Sequence, residues 1–346
     1  MECARLEKRL QILKGIIVML KIAMLGMWNH YHADEFLDTF LQRKEVMVAW
    51  AWDTDSNRGR TWADAKGIPY VDDLRKGLQK HKVDGVVLNA EPWNQAQIIT
   101  AAMKEQVHIL ADKIVALGKD QIELLRESAV SYKGIFAVAY PLEGRAVFQT
   151  ARKLIADGTL GRLVSLHLHQ SHDGLQHKWL PEHFYKDVRG GVLLELGFPI
   201  FYLAPYLADE EVAEVTSMGS SLSGEAMEDT AAVLLRFCSG AIAVAQASYM
   251  SGISSFSLAI HGTDASFAVE ENSKKLWLNT GGGWQEIEEE KALQSPQEDW
   301  LSAIQGHSIP RHGLEDGLKQ AGWLTKVYKD LRKTKMILAE EGGYFD

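Results

Sequence analysis

The chain has 346 residues, 46% of them hydrophobic and 24% charged, and its net charge is −9. That length exceeds one ordinary core and implies two domains, and the acidic balance argues against nucleic acid or an anionic membrane as a general partner. The two cysteines, Cys3 and Cys238, stand far apart with no metal-ligand spacing, which points to a reducing, cytoplasmic setting.

Residues 1–18 carry early positive charge and then apolar residues, like a weak signal peptide. Lys14 and Lys21 interrupt the run, and no small-residue cleavage site follows. The stretch reads as an extension with Met19 a plausible start, and no apolar run is long enough to span a membrane. Strand and helix patterns then alternate. Ile22–Leu25 predicts a strand, Ala33–Gln42 a helix, and Val46–Trp52 a strand ending at Asp53. Thr61–Lys66 predicts a short helix, Ile68–Val71 a short strand, Leu74–His81 a helix and Gly85–Asn89 a strand. Asn94–Glu105 is helical, His108–Ala111 a strand, Lys119–Ser131 helical and Ile135–Ala139 a strand. This alternation implies an α/β, Rossmann-type doubly wound parallel sheet over residues 19–140. Ligands of such sheets bind beyond the carboxyl ends of the strands, here Gly26, Asp53, Ala90 and Asp112.

The pattern changes over residues 141–346. "RLVSLHLHQSH" alternates as a strand with one covered face. "TAAVLLRFCSGAIAVAQASYM" holds two strands around Ser239-Gly240, and "SFSLAIHGTDASFAVE" repeats the device around Gly262-Thr263-Asp264. "KKLWLNT" and "GWQEIE" continue it, and from Pro310 the chain is helical to about Lys335. The second domain is therefore expected to be an α/β unit with a large open, mostly antiparallel sheet and a returning C-terminal helix.

Asp53 follows the second strand, where an acid accepts hydrogen bonds from the adenosine ribose hydroxyls and repels a 2′-phosphate. Its plainer reading is a turn acid in "DTDS". Lys113, in "ILADKIV", lies just past another parallel strand. It could hydrogen-bond a substrate hydroxyl and steady a developing alkoxide, or it could be a solvated loop lysine.

Several segments, in order, resemble the Gfo/Idh/MocA family of NAD(P)-dependent sugar and polyol dehydrogenases. "KIAMLG" resembles the family's first strand, and "AWAWDTDSNR" its acid-bearing second strand. "VVLNAEPWNQAQ" resembles the stretch that usually reads A-T-P-N-x-x-H. "ILADKIVA" is similar to the signature E-K-P, with Asp112 for Glu, Lys113 kept and Ile114 for Pro. "GTLGRLVSL" resembles the entry to the second domain, "RGGVLLELGFPIFYLAPYL" the G-G-G-x-L-x-D-x-G-x-H-x-x-D helix, and "IPRHGLEDGLKQAGW" the returning helix. The resemblance runs from about Lys21 to about Lys335.

It implies oxidation of a secondary alcohol of a sugar or polyol, with hydride passing to NAD and NADP less favoured. The implied cofactor surface has Gly26, Trp28, Asn29 and His30 after the first strand, and Asp53 and Arg58 after the second. Ala90, Glu91, Pro92 and Asn94 follow the third strand, and Asp112 the fourth. Trp93, Trp179 and Tyr202 are expected at the substrate, although packing explains the tryptophans equally well.

Two departures shape the expected chemistry. The glycine loop is about two residues short and keeps only Gly26, so Trp28 and Tyr31 obstruct the phosphates unless the loop takes another path. Glu195 replaces the family's Asp, Pro199 its catalytic His and Tyr202 its second Asp. Proline transfers no proton and bends a helix that it interrupts. Positions 195, 199 and 202 should share one helical face. Lys113 and Glu195 then remain, and a loop histidine is expected as general base, His177 first and His172 next. His167 and His169, two apart on a strand, should face the same way.

The histidines also suit a divalent metal in principle, but their spacings match no standard motif, so no metal ligand is assigned. The rival readings are a sugar- or cofactor-binding protein without turnover and a metal-assisted lyase or hydrolase. An open sheet face predicts a homodimer or homotetramer.

Overall fold

The computed structural model describes residues 19–187, 189–252, 254–270 and 275–333. The expected extension over residues 1–18, Cys3 and the chain beyond Lys333 lie outside the described residues. The chain divides into two compact units. Of the described residues, the first comprises those up to Ala116, Asp120–Ala139 and Ser295–Leu318, and the second Leu117–Lys119, those between Tyr140 and Gln294, and those from Lys319. Ser295–Leu318, assigned by the sequence reading to the second domain, therefore belongs to the first unit. The physical reason is Trp300, fully buried in the first unit's core and set edge-on to Phe40 at 6.2 Å.

In the first unit, strands β1 (Leu20–Leu25), β2 (Val46–Trp52), β3 (Gly85–Leu88), β4 (His108–Asp112) and β5 (Phe136–Ala139) form a parallel sheet in the order β2-β1-β3-β4-β5. Every residue of β3 and β5 is buried, as a sheet covered on both faces requires. The intervening helices are α1 (His30–Leu41), α2 (Ser56–Lys66), α3 (Leu74–Lys80), α4 (Pro92–Lys104) and α5 (Gly118–Ala129).

Helix α2 starts five residues before the expected Thr61. The Asp55 carboxylate accepts the Asn57 and Arg58 N–H groups, so "DTDS" is a helix start as well as a turn. Ile68–Val71 does not form a strand; it makes a single bridge, from Tyr70 to Ala51. The strand order reverses between β1 and β3, the switch point where such sheets bind ligands.

The second unit contains an eight-stranded sheet. Its strands are β6 (Leu163–Ser171), β7 (Val212–Ser220), β8 (Thr230–Phe237), β9 (Ile242–Ser248), β10 (Ser255–Gly262), β11 (Ser266–Glu270), β12 (Lys275–Asn279) and β13 (Trp284–Ile287). Their order is β13-β12-β11-β10-β6-β9-β8-β7, antiparallel except for the central β6–β9 pair. Along β6, Leu166 and Leu168 are buried while His167 and His169 face the other way. Helix α6 (Ala146–Ala156) packs on α7 (Phe198–Ala208), and α7 packs on β6 and β9. The opposite sheet face carries the exposed Met218, Leu234, Ile242 and Trp284.

Pro199, expected to bend a helix that it interrupts, stands in the first turn of α7. A π-helical turn, Leu193–Gly197, precedes it. The wider turn shifts the register, so Glu195 and Tyr202 do not share a setting. Tyr202 is buried against Tyr140 and Phe198, whereas Glu195 is half-buried and bonded to Tyr249. Helices α8 (Pro296–Ile304) and α9 (Leu314–Lys333) complete the described chain.

Candidate active site

The first unit gathers its polar groups at the carboxyl ends of β1 to β4. Gly26, at φ +86°, turns the chain off β1, and a Cβ there would lie 2.5 Å from the Ala90 Cα. Only glycine allows the tails of β1 and β3 to approach so closely. The next residues take a path that removes the expected obstruction. Trp28 is buried, its backbone N–H donates to the Asn89 carbonyl at 3.0 Å, and its ring meets Trp93 edge-on at 6.0 Å. Trp93 is buried as well, so these two rings pack the unit. Tyr31 points outward, 52% exposed, beside His30 at 3.9 Å. Asn29 caps α1 by accepting the His32 N–H, and its carbonyl accepts from the Asn89 side chain.

Asp53 is fully enclosed. Its carboxylate accepts the Met27 N–H at 2.7 Å, the Asp55 N–H at 2.8 Å, and the Arg58 Nε and Nη2 at 3.0 and 2.5 Å. Arg58 Nη2 also donates to Glu91 Oε1 at 2.6 Å, and Thr54 donates to Glu91 at 2.7 Å. Burial works against the charge on both Arg58 and Glu91, but their pairing prevails. Arg58 is held above and Glu91 below its ordinary range. Asn94 Nδ2 reaches Glu91 Oε2 at 3.3 Å, and Pro92 opens α4.

A small residue lets Arg58 and its helix sit this close. A Cβ on Gly59 would stand 2.5 Å from the Asp53 Cβ and 2.6 Å from the Tyr70 ring. At the end of β4, Asp112 Oδ2 pairs with His32 Nδ1 at 2.7 Å, while its buried Oδ1 has no hydrogen-bond partner among the described residues. Gln95 ties the ends of β3 and β4, accepting the Ala90 N–H at 3.1 Å and donating to the Asp112 carbonyl at 2.7 Å. Lys113, expected in a solvated loop or at an open mouth, is instead buried, 6% exposed.

The second unit holds a cluster of its own. His172 follows β6 and Tyr249 follows β9; their rings stack at 5.0 Å and 15°. The Tyr249 hydroxyl donates to Glu195 Oε2 at 3.3 Å. Burial lowers the His172 pKa despite the pull of Glu195 and Asp173, so the ring is neutral at pH 7. The Gly174 N–H donates to its Nδ1 at 3.1 Å, which leaves the proton of the neutral ring on Nε2. Trp179, 47% exposed, lies 4.7 Å from the His172 ring, with its indole N–H held by Asp173 at 2.7 Å.

The other histidines are elsewhere. His177, the first-choice base, lies on the loop surface 3.7 Å from Asp173. His167 and His169 are on the open sheet face, with His169 bonded to Ser171. Among the described residues no group of three His, Cys, Asp or Glu side chains is placed to hold a metal ion.

Tyr249, Thr54 and Gln95 escaped the sequence reading. Only a rule that the residue after each strand of a parallel pair is a candidate would have found Tyr249 beside His172.

A glycine turn into a helix N-terminus, acids at the ends of β2 and β3 and an unsatisfied acceptor at the end of β4 suit a dinucleotide's phosphates, ribose and amide. Its phosphates would meet the start of α1, and its adenosine ribose the Asp53–Arg58–Glu91 group.

Comparison with known proteins agrees with the architecture. Residues 20–140 match the model of an oxidoreductase family with an NAD-binding Rossmann fold, and residues 148–268 match a GFO/IDH/MocA C-terminal domain. The chain is 27% identical over 172 residues to myo-inositol 2-dehydrogenase of Thermotoga maritima, a match covering 48% of this chain and 50% of that protein. It thus spans about half the length of that relative. It is 22% identical over 285 residues to 1,5-anhydro-D-fructose reductase of Ensifer adhaerens, covering 77% of this chain and 83% of that one. An inositol dehydrogenase homolog from Azotobacter vinelandii, solved with NAD+, shares the fold at a TM-score of 0.76 and 18% identity, over 91% of this chain and 96% of that one.

Proposed function

Because the chain belongs to the Gfo/Idh/MocA oxidoreductase family, we propose that it oxidises a secondary alcohol of a sugar or polyol and passes the hydride to NAD. The observation that carries this reading is the His172–Tyr249–Glu195 cluster beside the exposed face of Trp179. An aromatic face next to hydrogen-bonding groups suits a polyhydroxylated ring. Two of the relatives are named for cyclic polyol or anhydro-sugar substrates.

The nicotinamide ring, when bound, supplies the hydride acceptor. The protein's groups handle the proton. His172 presents Nε2–H, so it donates to the substrate oxygen and orients it instead of taking its proton. Glu195, held by the Tyr249 hydroxyl, accepts the hydroxyl proton as the C–H bond gives up its electron pair. Lys113, buried just past β4, is the catalytic cation proposed for the first unit. The proton acceptor expected on a loop histidine is thus reassigned to Glu195.

Self-association through the open sheet face, as a homodimer or homotetramer, would cover Met218, Leu234, Ile242 and Trp284. The cytoplasm is the compartment proposed, and Cys238 is a free, exposed thiol. The test is a panel of sugars and polyols, monitored by nicotinamide absorbance with NAD present. Reduction of NAD by at least one of them is the expected result. Tight cofactor binding with no turnover on any substrate would favour the binding-protein reading.

A further inference from the structure

The acid that ends β2 is the usual judge of the adenosine ribose, but here its carboxylate is already occupied. Asp53 takes two backbone N–H groups that shape the β1 turn and the start of α2, and two more N–H groups from Arg58. A carboxylate offers about four acceptor positions, so Asp53 is saturated by its own chain. Glu91, which ends the neighbouring strand β3, is different. Its carboxylate bonds the side chains of Arg58, Thr54 and Asn94. Its side chain is 9% exposed, against none of Asp53's.

We infer that Glu91 is a specificity-determining residue that keeps the first unit selective for NAD over NADP by withholding Arg58 from a 2′-phosphate. This rests on the dinucleotide reading of the first unit. Arg58 would otherwise be a ready phosphate ligand, because a planar guanidinium binds such oxygens in pairs. Asp53 engages the Nε–Nη2 edge and Glu91 shares Nη2, so that edge of the fork is committed to the protein. Two carboxylates around one guanidinium leave the group net negative, and its burial weakens the screening of that charge. A ribose diol tolerates this setting, whereas the doubly charged phosphate of NADP is repelled by the group's net negative charge. Removing the Glu91 charge brings the group to neutrality and frees part of the Arg58 fork. Removing the Arg58 charge makes it more negative.

The experiment is calorimetric titration of NADH and NADPH into the wild type, Glu91→Gln, Arg58→Gln and the double variant. The wild type should bind NADH at least about tenfold more tightly than NADPH. Glu91→Gln should move that ratio toward NADPH by about tenfold or more, and Arg58→Gln should move it the other way. The double variant should lose the gain made by Glu91→Gln. If Glu91→Gln does not fold, the direction of the Arg58→Gln shift decides. A ratio that stays within about twofold in the folded single variants overturns the inference and leaves the dinucleotide reading standing. A wild type that binds neither reduced cofactor overturns both.

Discussion

His172 lies flat against Tyr249, their ring centroids 5.0 Å apart and their planes 15° apart. The relation follows from strand pairing. Strands β6 and β9 run parallel with Ser171 opposite Ser248, so the next residue of each strand leaves the sheet beside the other. The Tyr249 hydroxyl then reaches Glu195 in the π turn, and one aromatic pair links a donor imidazole to a carboxylate.

This pairing separates the two loop histidines. His172→Ala should lower kcat/KM by about 10²-fold, and His177→Ala by less than about threefold. Steady-state kinetics on a substrate found in the panel measures both. Equal losses would remove the stacked imidazole from the mechanism.

Glu195→Gln tests the proton acceptor. It keeps the shape and the hydrogen bond from Tyr249 but not the basicity, so kcat should fall by about 10²–10⁴ with cofactor affinity unchanged. Tyr249→Phe keeps the ring stack and loses the hydroxyl, and its kcat should fall less. A Glu195→Gln enzyme with wild-type kcat would return the proton to another group.

The depressed pKa of His172 sets an expectation for pH. Burial disfavours the charged ring, so Nδ1 stays free to accept the Gly174 N–H to a lower pH than an ordinary histidine allows. The limb of kcat/KM that belongs to this ring should therefore fall below pH 6.5 and vanish in His172→Ala. An unchanged limb in that variant assigns it to another group.

Lys113→Met should abolish turnover while leaving NADH binding in place, as read by titration. Because Lys113 is buried rather than solvated, its removal should also change the thermal midpoint. Wild-type turnover in this variant would exclude Lys113 from the chemistry.

Glu228 links pH to stability instead of activity. It is wholly buried, accepts from the Tyr328 hydroxyl at 3.1 Å and the Leu193 N–H at 3.3 Å, and its carboxyl is pushed up from 4.5 to about 7 by burial. A raised folded-state pKa gives stability that is complete below the unfolded value and is lost as pH rises through the folded one. Between pH 4.5 and about 7 the protein should lose about 3 kcal/mol from this group. Denaturant melts across that range should show the loss in the wild type and its absence in Glu228→Gln.

Local chemistry is written along the chain, and the sequence alone carried it. The alternation of apolar strands and helices is legible, as are the parallel character of the first sheet, the turn at Gly26 and the acids that end β2 and β4. Each depends on residues that are neighbours in the chain, and the departures at Pro199 and in the glycine loop could be read in the same way. The tertiary structure decided which distant groups meet. Trp28 turned inward to pack edge-on against Trp93, with its backbone N–H on the Asn89 carbonyl. Arg58 became a bridge because β1 lies between β2 and β3, which places both of their terminal acids within its reach. His172 rather than His177 joined Glu195 because a parallel strand pair delivered Tyr249 beside it. The hydrophobic period of a strand records which face is buried, but not which strand will lie next to it.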